Sequence, residues 1–175
     1  MLQLKPFEKG RGHQFKLFCE VFHQESEFQI IYKLSGPLLE LIVPQKSKEK
    51  EKRVKGLWES TCFEVFIKKS DSPSYLEFNF SPSGDWNSFS FSDYRQGMQE
   101  FLGVKKMQVD LKLSDNELTL FCHFNLDYPD LVGGKIKMGI SSVLHLKDDQ
   151  KIYYALVHPT AAADFHHQDS FVYAP

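Results

Sequence analysis

Apolar and polar residues alternate along two neighbouring segments of the chain, residues 57–67 and 74–91. Successive side chains of a β-strand point to opposite faces, so each segment is predicted to have one apolar and one polar face. The predicted core-facing residues are Thr61, Phe63, Val65, Ile67, Leu76, Phe78 and Phe80. The opposite face carries Cys62, Glu64, Phe66, Tyr75, Glu77 and Asn79. We expect this second face to be open to solvent, as one face of an antiparallel sheet commonly is.

The same alternation continues through most of the chain. It predicts hairpins formed by 13–23 with 27–34, by 104–113 with 116–126, and by 135–146 with 151–157. Shorter strands are expected at 38–43, 61–68, 75–80 and 86–91, and at the end of the chain. Residues 94–103 are the only segment with a helical pattern. About ten or eleven short strands predict an all-β fold, an immunoglobulin-like antiparallel β-sandwich with one short helix, in a single domain spanning residues 1–175.

Composition agrees with this class, since 16 phenylalanines and 7 tyrosines favour strands. The formal net charge of -2 argues against nucleic acid as the main partner, because phosphate binding requires a clustered positive field. Residues 46–55 are locally basic, but the interspersed Glu49 and Glu51 indicate a solvated loop.

Cysteine use and the N-terminal segment suggest where the protein resides. Cys19 and Cys122 fall on the apolar side of their strands, which indicates reduced, buried thiols. The segment MLQLKPFEKGRG has no apolar run of signal-peptide length, and no segment has the length and apolarity of a membrane span. We therefore expect a cytoplasmic protein without a membrane partner.

The predicted polar face combines carboxylates and an amide with tryptophans at its two ends. Hydroxyl groups of a sugar need hydrogen-bond acceptors and donors, while the C–H faces of a sugar ring stack on aromatic rings. We predict binding of a carbohydrate or similar polyol here by Trp58, Glu64, Glu77, Asn79 and Trp86. The flanking candidates are Arg95, His158, Asp164 and His166. Alternation alone would also place polar residues on a solvated face that binds nothing.

Three strings, LWESTCFEVFI, YLEFNFSPSGDWNSFSFSDYRQGM and DFHHQDSFVYAP, resemble bacterial DOMON-like proteins related to type 9 carbohydrate-binding modules. The resemblance implies a sandwich of roughly ten strands that binds sugar or haem. In type 9 modules a tryptophan six positions before a strand glutamate, with an arginine-x-asparagine pair on the next strand, grips a glycan end. Trp58, Glu64 and Asn79 match this pattern, but Glu77 replaces the arginine. Near the C-terminus, where those modules place a second tryptophan, the chain has Phe165, His166 and His167.

Two catalytic or cofactor-dependent alternatives remain open at this point. Glu64 and Glu77 could act as the acid and base of a glycoside hydrolase, although an open face would give little desolvation to raise the pKa of one carboxyl. Haem ligands could come from Met98, Met107, Met138 or His123, but spacing specifies no pair.

His145, His158, His166 and His167 all lie in the last third of the chain, without the spacing of a metal site. We therefore predict neither a metal nor a cofactor. An exposed aromatic face could instead meet another protein as an interaction scaffold. The prediction favoured by these residues is non-catalytic binding of a small saccharide or cell-wall fragment. The oligomeric state is left open.

Overall fold

The computed structural model describes residues 1–8, 10–46, 52–128, 131 and 135–175. Eleven β-strands and no α-helix occur among these residues. The strands are β1 (Leu2–Pro6), β2 (Lys16–Gln24), β3 (Glu27–Ser35), β4 (Cys62–Lys69), β5 (Tyr75–Phe80), β6 (Trp86–Phe91), β7 (Gln99–Glu100), β8 (Val104–Leu113), β9 (Glu117–Leu126), β10 (Ile136–His145) and β11 (Lys151–Ala155). Short 3-10 turns cover Arg11–Gln14, Leu38–Glu40, Leu57–Glu59 and Gln168–Ser170.

The strands form one antiparallel ladder in the order β7-β6-β5-β4-β10-β11-β1-β2-β3-β9-β8. Strand β1 connects the two halves, because its first residues pair with β2 while Lys5 and Pro6 pair with β11. The halves pack face to face. Phe78 of β5 stacks on Phe124 of β9 with ring centroids 4.7 Å apart, and the Tyr32 hydroxyl of β3 donates to the Glu64 carbonyl of β4 at 2.7 Å. The predicted antiparallel sandwich is confirmed.

The alternation identified the core correctly. All seven residues predicted to face inward from β4, β5 and the residue before β4 are at most 3% exposed. The three predicted hairpins are present as β2–β3, β8–β9 and β10–β11. All three cysteines are buried free thiols, and burial raises the pKa of each.

Two local predictions are wrong. Residues 94–103 form a turn and the short strand β7 instead of a helix, because Arg95 and Gly97 have φ values of 52° and 65°. A residue in this left-handed region cannot continue a right-handed helix. Residues 38–43 form a 3-10 turn with a single bridge from Leu41 to Leu146. The strand β1 was not predicted, since its pairing with two other strands is not visible in five residues.

The basic loop is only partly described, since residues 47–51 lie outside the described ranges. Its second half is not simply solvated. The Arg53 guanidinium lies 4.1 Å from the centroid of the Trp86 ring and donates to the Phe101 carbonyl at 2.9 Å. Burial lowers the pKa of Arg53. This part of the loop therefore packs against the edge of β6.

In the described part of the chain, no helix has the length and apolarity needed to cross a membrane.

Candidate functional site

The polar face of β4 and β5 is covered rather than open to solvent. Glu64, Glu77 and Asn79 are 3%, 5% and 0% exposed. The C-terminal segment lies over this face, where Phe171 and Phe165 join a second apolar cluster with side chains of β4, β5 and β6. The expectation of a solvated face is wrong, because strand alternation contains no information about a distant segment that packs on it.

A pocket of about 440 Å³ remains between this segment and the sheet. It brings together five of the predicted site residues, Trp58, Glu64, Glu77, Arg95 and His166. Its walls also include the aromatic side chains of Phe66, Phe91, Tyr153 and Phe165. The pocket therefore combines carboxyl groups with several aromatic rings, which is the chemistry that the sequence predicted for this face.

Trp58 reaches the pocket from the 3-10 turn that precedes β4. Gly56 begins this turn with φ of 76°, a conformation that glycine adopts without strain. The Trp58 side chain packs edge-on against Phe89 with centroids 5.9 Å apart, and the residue stays 36% exposed. An indole with one supported edge and one accessible part can offer a rigid stacking surface to a ligand.

Glu64 and Glu77 lie diagonally on adjacent strands, since Glu64 pairs with Asn79 and Glu77 pairs with Phe66. Ser141 Oγ donates to Glu64 Oε2 at 3.0 Å, and Asn79 Nδ2 donates to Glu77 Oε1 at 2.7 Å. Burial raises the pKa of both carboxyls, and the charge of Glu77 raises that of Glu64 further. The expectation that this face gives little desolvation is therefore wrong.

His166 covers one side of the pocket as a neutral imidazole. Its Nδ1 lies 2.8 Å from the Tyr75 hydroxyl, and its Nε2 lies 3.8 Å from Glu77 Oε2. Burial, with a contribution from the charge of Arg95, lowers the His166 pKa to about 4. The Tyr75 oxygen also accepts the backbone N–H of Arg95.

Asp164 fixes Arg95 instead of lining this pocket. Its carboxylate accepts from Arg95 Nη2 at 2.9 Å and from the Tyr94 hydroxyl at 2.6 Å. Burial acts to raise the pKa of Asp164, but these hydrogen bonds and the charge of Arg95 outweigh it and hold the pKa below its usual value. The pair thereby places the Arg95 side chain at the pocket wall.

Three other predicted residues do not reach the pocket. Asn79 is fully buried and acts by orienting Glu77. Trp86 pairs with Phe80 in register, so it lies on the core side of the sheet, and its predicted place at one end of the polar face is wrong. His158 donates from Nε2 to the Lys5 carbonyl at 2.8 Å and packs against Phe7, away from the pocket.

Sequence reasoning missed two residues of β11, Lys151 and Tyr153, that line the pocket. Tyr153 pairs with Val143, two residues beyond Ser141 on the same face of β10, and this alternation could have placed it beside Glu64. Phe165 was considered only through the family resemblance, and it lines the same pocket as Trp58.

The haem and metal candidates are dispersed. Met138 is in the core, Met107 packs on the core from β8, and His123 contacts Glu27 at 2.5 Å on the outer face of β9. Met98 lines the pocket. No group of three metal-ligating side chains comes together within the described ranges.

Comparison with known proteins places this geometry in a structural context. No model of a protein family matches the sequence, and no curated protein matches it. A solved structure of a Bacteroides uniformis protein, to which carbohydrate binding has been ascribed, is similar with a TM-score of 0.63 and 13% identity, over 97% of this chain and 84% of that one. A family 9 carbohydrate-binding module from Caldicellulosiruptor kristjanssonii is also similar.

The chain shares the fold of these proteins. The Caldicellulosiruptor module in complex with cellotriose has a TM-score of 0.56 at 7% identity, over 91% of this chain and 75% of that one. The same kind of module in complex with glucose has a TM-score of 0.54 at 7% identity, with 91% and 76% covered. At these identities the similarity to type 9 modules concerns the fold.

Proposed function

We propose that the protein binds a saccharide, without transforming it, in the pocket between β4, β5 and the C-terminal segment. The observation that carries this proposal is the partly exposed Trp58 indole on the same pocket as Glu64 and Glu77. An aromatic surface and hydrogen-bonding carboxyls within one concavity match the two faces of a sugar ring. Such concavity also favours a small ligand over a flat protein interface.

Each group would have a distinct role. Trp58 would stack on the C–H face of the sugar, and Phe165 or Tyr153 would limit the space on other sides of the ring. Glu64 and Glu77 would hydrogen-bond hydroxyl groups, because each carboxyl has one oxygen already held by a protein donor and a second oxygen without such a donor. The fold shared with modules solved in complex with cellotriose and glucose supports a saccharide of this size.

The two tryptophans of the chain provide a matched experiment. Trp58→Ala should weaken saccharide binding about tenfold or more while the melting temperature changes little, because Trp58 lies outside both apolar clusters and contributes little core packing. Trp86→Ala should leave binding unchanged and cost about 3 kcal/mol of stability, because Trp86 packs on the core and under Arg53.

Glycan-array screening of the wild type would identify ligands, and calorimetric titration of the wild type and both variants would measure their affinities. Equal loss of affinity in the two variants would contradict the proposal. A wild-type protein that binds no saccharide at millimolar concentration would favour the interaction-scaffold alternative.

Glycoside hydrolysis is the second candidate, and the burial of both glutamates is the observation in its favour. A hydrolase needs one protonated and one ionised carboxyl, so the two pKa values must be moved apart. Burial raises the pKa of both here, and the neighbouring imidazole is neutral. Binding is therefore the better supported function. Release of 4-nitrophenol from a panel of nitrophenyl glycosides between pH 5 and 8 would overturn this preference.

A further inference from the structure

The two pocket glutamates each present one oxygen that no protein group holds. Glu64 uses Oε2 for Ser141, and Glu77 uses Oε1 for Asn79. Within the described ranges, the only side-chain polar atoms that are both fully buried and unpartnered are Nδ1 of His145 and Nδ1 of His158. The remaining oxygens of the two glutamates are therefore accessible, and the space that these side chains line is the pocket.

The nearby cations compensate this pair only in part, since the charge of Arg95 acts to lower the pKa of Glu77. Arg95 is held by Asp164 at 2.9 Å. His166 is neutral, with Nε2 3.8 Å from Glu77. In the strand register, Lys151 of β11 lies opposite His145 of β10. His145 is four residues along β10 from Ser141, which lies opposite Glu64. At about 4.8 Å per strand and 3.3 Å per residue, the Cα atoms of Lys151 and Glu64 are roughly 16 Å apart. The Lys151 backbone therefore lies well away from the glutamate pair.

We propose that the ligand is an amino sugar with a free amine, whose ammonium group lies between Glu64 and Glu77. The inference rests on the saccharide binding proposed above and names the class of sugar. Two carboxylates on adjacent strands offer the ammonium group charge-assisted hydrogen bonds, which are stronger than those to a hydroxyl. The aromatic walls add attraction for a cationic ring substituent. The ammonium group would also favour ionisation of the two carboxyls, whose pKa values burial raises in the unliganded protein.

Three β-1,4-linked trisaccharides test the proposal, because they differ mainly in the substituent at C2 of each ring. Chitotriose carries amines, N,N′,N″-triacetylchitotriose carries acetamides, and cellotriose carries hydroxyls. Calorimetric titration at pH 7 in the presence of EDTA, which removes bridging divalent cations, should give the highest affinity for chitotriose. We expect an advantage of roughly ten- to a hundredfold over the other two.

Variants separate a specific contact from general attraction to a polycation. Glu77→Gln and Glu64→Gln should each reduce chitotriose affinity about tenfold or more while cellotriose affinity changes by less than about threefold. Glu59→Gln is the matched control, since Glu59 is exposed on the same turn as Trp58 and does not line the pocket. This control should behave as the wild type. Methyl β-glucosaminide, which has a single charge, should show the same ranking of variants.

The pH dependence provides a second readout. Chitotriose affinity should fall as pH is lowered from 7 to 5, because protons then compete more strongly with the ammonium group for Glu64 and Glu77, while cellotriose affinity should stay nearly constant. The other ionisable groups at the pocket or packed on these side chains are Cys62, Tyr75, Arg95, Lys151, Tyr153, Asp164 and His166. Of these, His166 has its pKa lowered to about 4, which places its titration below this range.

Each outcome decides between distinct conclusions. Equal affinities for chitotriose and cellotriose, with equal effects of Glu77→Gln on both, would overturn the amino-sugar assignment and leave saccharide binding intact. Loss of chitotriose binding in Glu59→Gln to the same degree as in Glu77→Gln would identify non-specific attraction and also overturn the assignment. Absence of binding for all ligands would overturn both this assignment and the proposed function.

Discussion

The buried pair Glu64 and Glu77 should make the stability of the unliganded protein fall as pH rises. Both carboxyls are at least nine-tenths buried, and burial raises their pKa values in the folded state. In the unfolded chain a glutamate titrates near pH 4.3. Between that pH and the raised folded pKa, the folded protein binds more protons than the unfolded chain. The free energy of unfolding must therefore decrease with increasing pH across this window. The full contribution of the two carboxyls to stability is present only at pH values below the window.

The size of the effect follows from the number of protons involved. One carboxyl that is protonated when folded and ionised when unfolded gives a slope of at most about 1.4 kcal/mol per pH unit. Two would give about twice that. Because each ionised glutamate raises the cost of ionising its neighbour, the two deprotonate in sequence rather than together. We expect a slope near that of two carboxyls while both are protonated in the folded protein, falling to about that of one carboxyl after the first has ionised.

Urea unfolding at half-unit steps from pH 5 to 8 would measure the slope for the wild type, Glu77→Gln, and the double variant Glu64→Gln/Glu77→Gln. Glutamine keeps an oxygen that accepts from Asn79 or Ser141, so the local hydrogen bonds survive. The double variant should have a markedly flatter profile, and Glu59→Gln should retain the wild-type slope. Parallel profiles for the wild type and the double variant would refute the reasoning.

Three further predictions concern the scaffold. Tyr32→Phe removes the hydroxyl that donates to the Glu64 carbonyl between the sheets, so urea unfolding should show a loss of about 1 kcal/mol; an unchanged midpoint would contradict this role. Phe171→Ala should cost about 3 kcal/mol or more and also flatten the pH profile, because it loosens the segment that buries Glu77; calorimetry of its melting would test this. Thiol titration should detect no reactive cysteine in the native protein and three after denaturation, for Cys19, Cys62 and Cys122.

The sequence predicted most of the sheet because strand alternation is a local signal. Phe63, Val65 and Phe78 face the core, as the two-residue alternation of a β-strand indicated. The turn at Arg95 was misread because the residues around it have no decisive helix or strand pattern, and its conformation depends on the left-handed φ of two residues. The covering of Glu64 and Glu77 could not be predicted, since it depends on the packing of Phe171, which is distant from both in the sequence.

The candidate site also has parts that follow from local sequence signals and parts that depend on strand register and distant packing. Trp58, Glu64 and Glu77 are close in sequence, and they line one pocket because the neighbouring strands β4 and β5 bring them together. Trp86 was assigned to the wrong face, since the tight turn between β5 and β6 fixes a register that pairs it with Phe80. His158 was predicted to lie near the site because it is close to Asp164 and His166 in the sequence.

Saccharide binding at the Trp58 pocket can be tested most directly through the indole N–H resonances, because the chain has two tryptophans. A ¹H–¹⁵N correlation spectrum would show both signals, and the Trp58→Ala and Trp86→Ala variants would assign them. On titration with chitotriose, cellotriose or glucose, we predict a saturable shift of the Trp58 signal, while the Trp86 signal, from the core side of the sheet, stays in place. A Trp58 signal that does not move with any of these sugars at tens of millimolar, or a shift confined to Trp86, would contradict saccharide binding in this pocket.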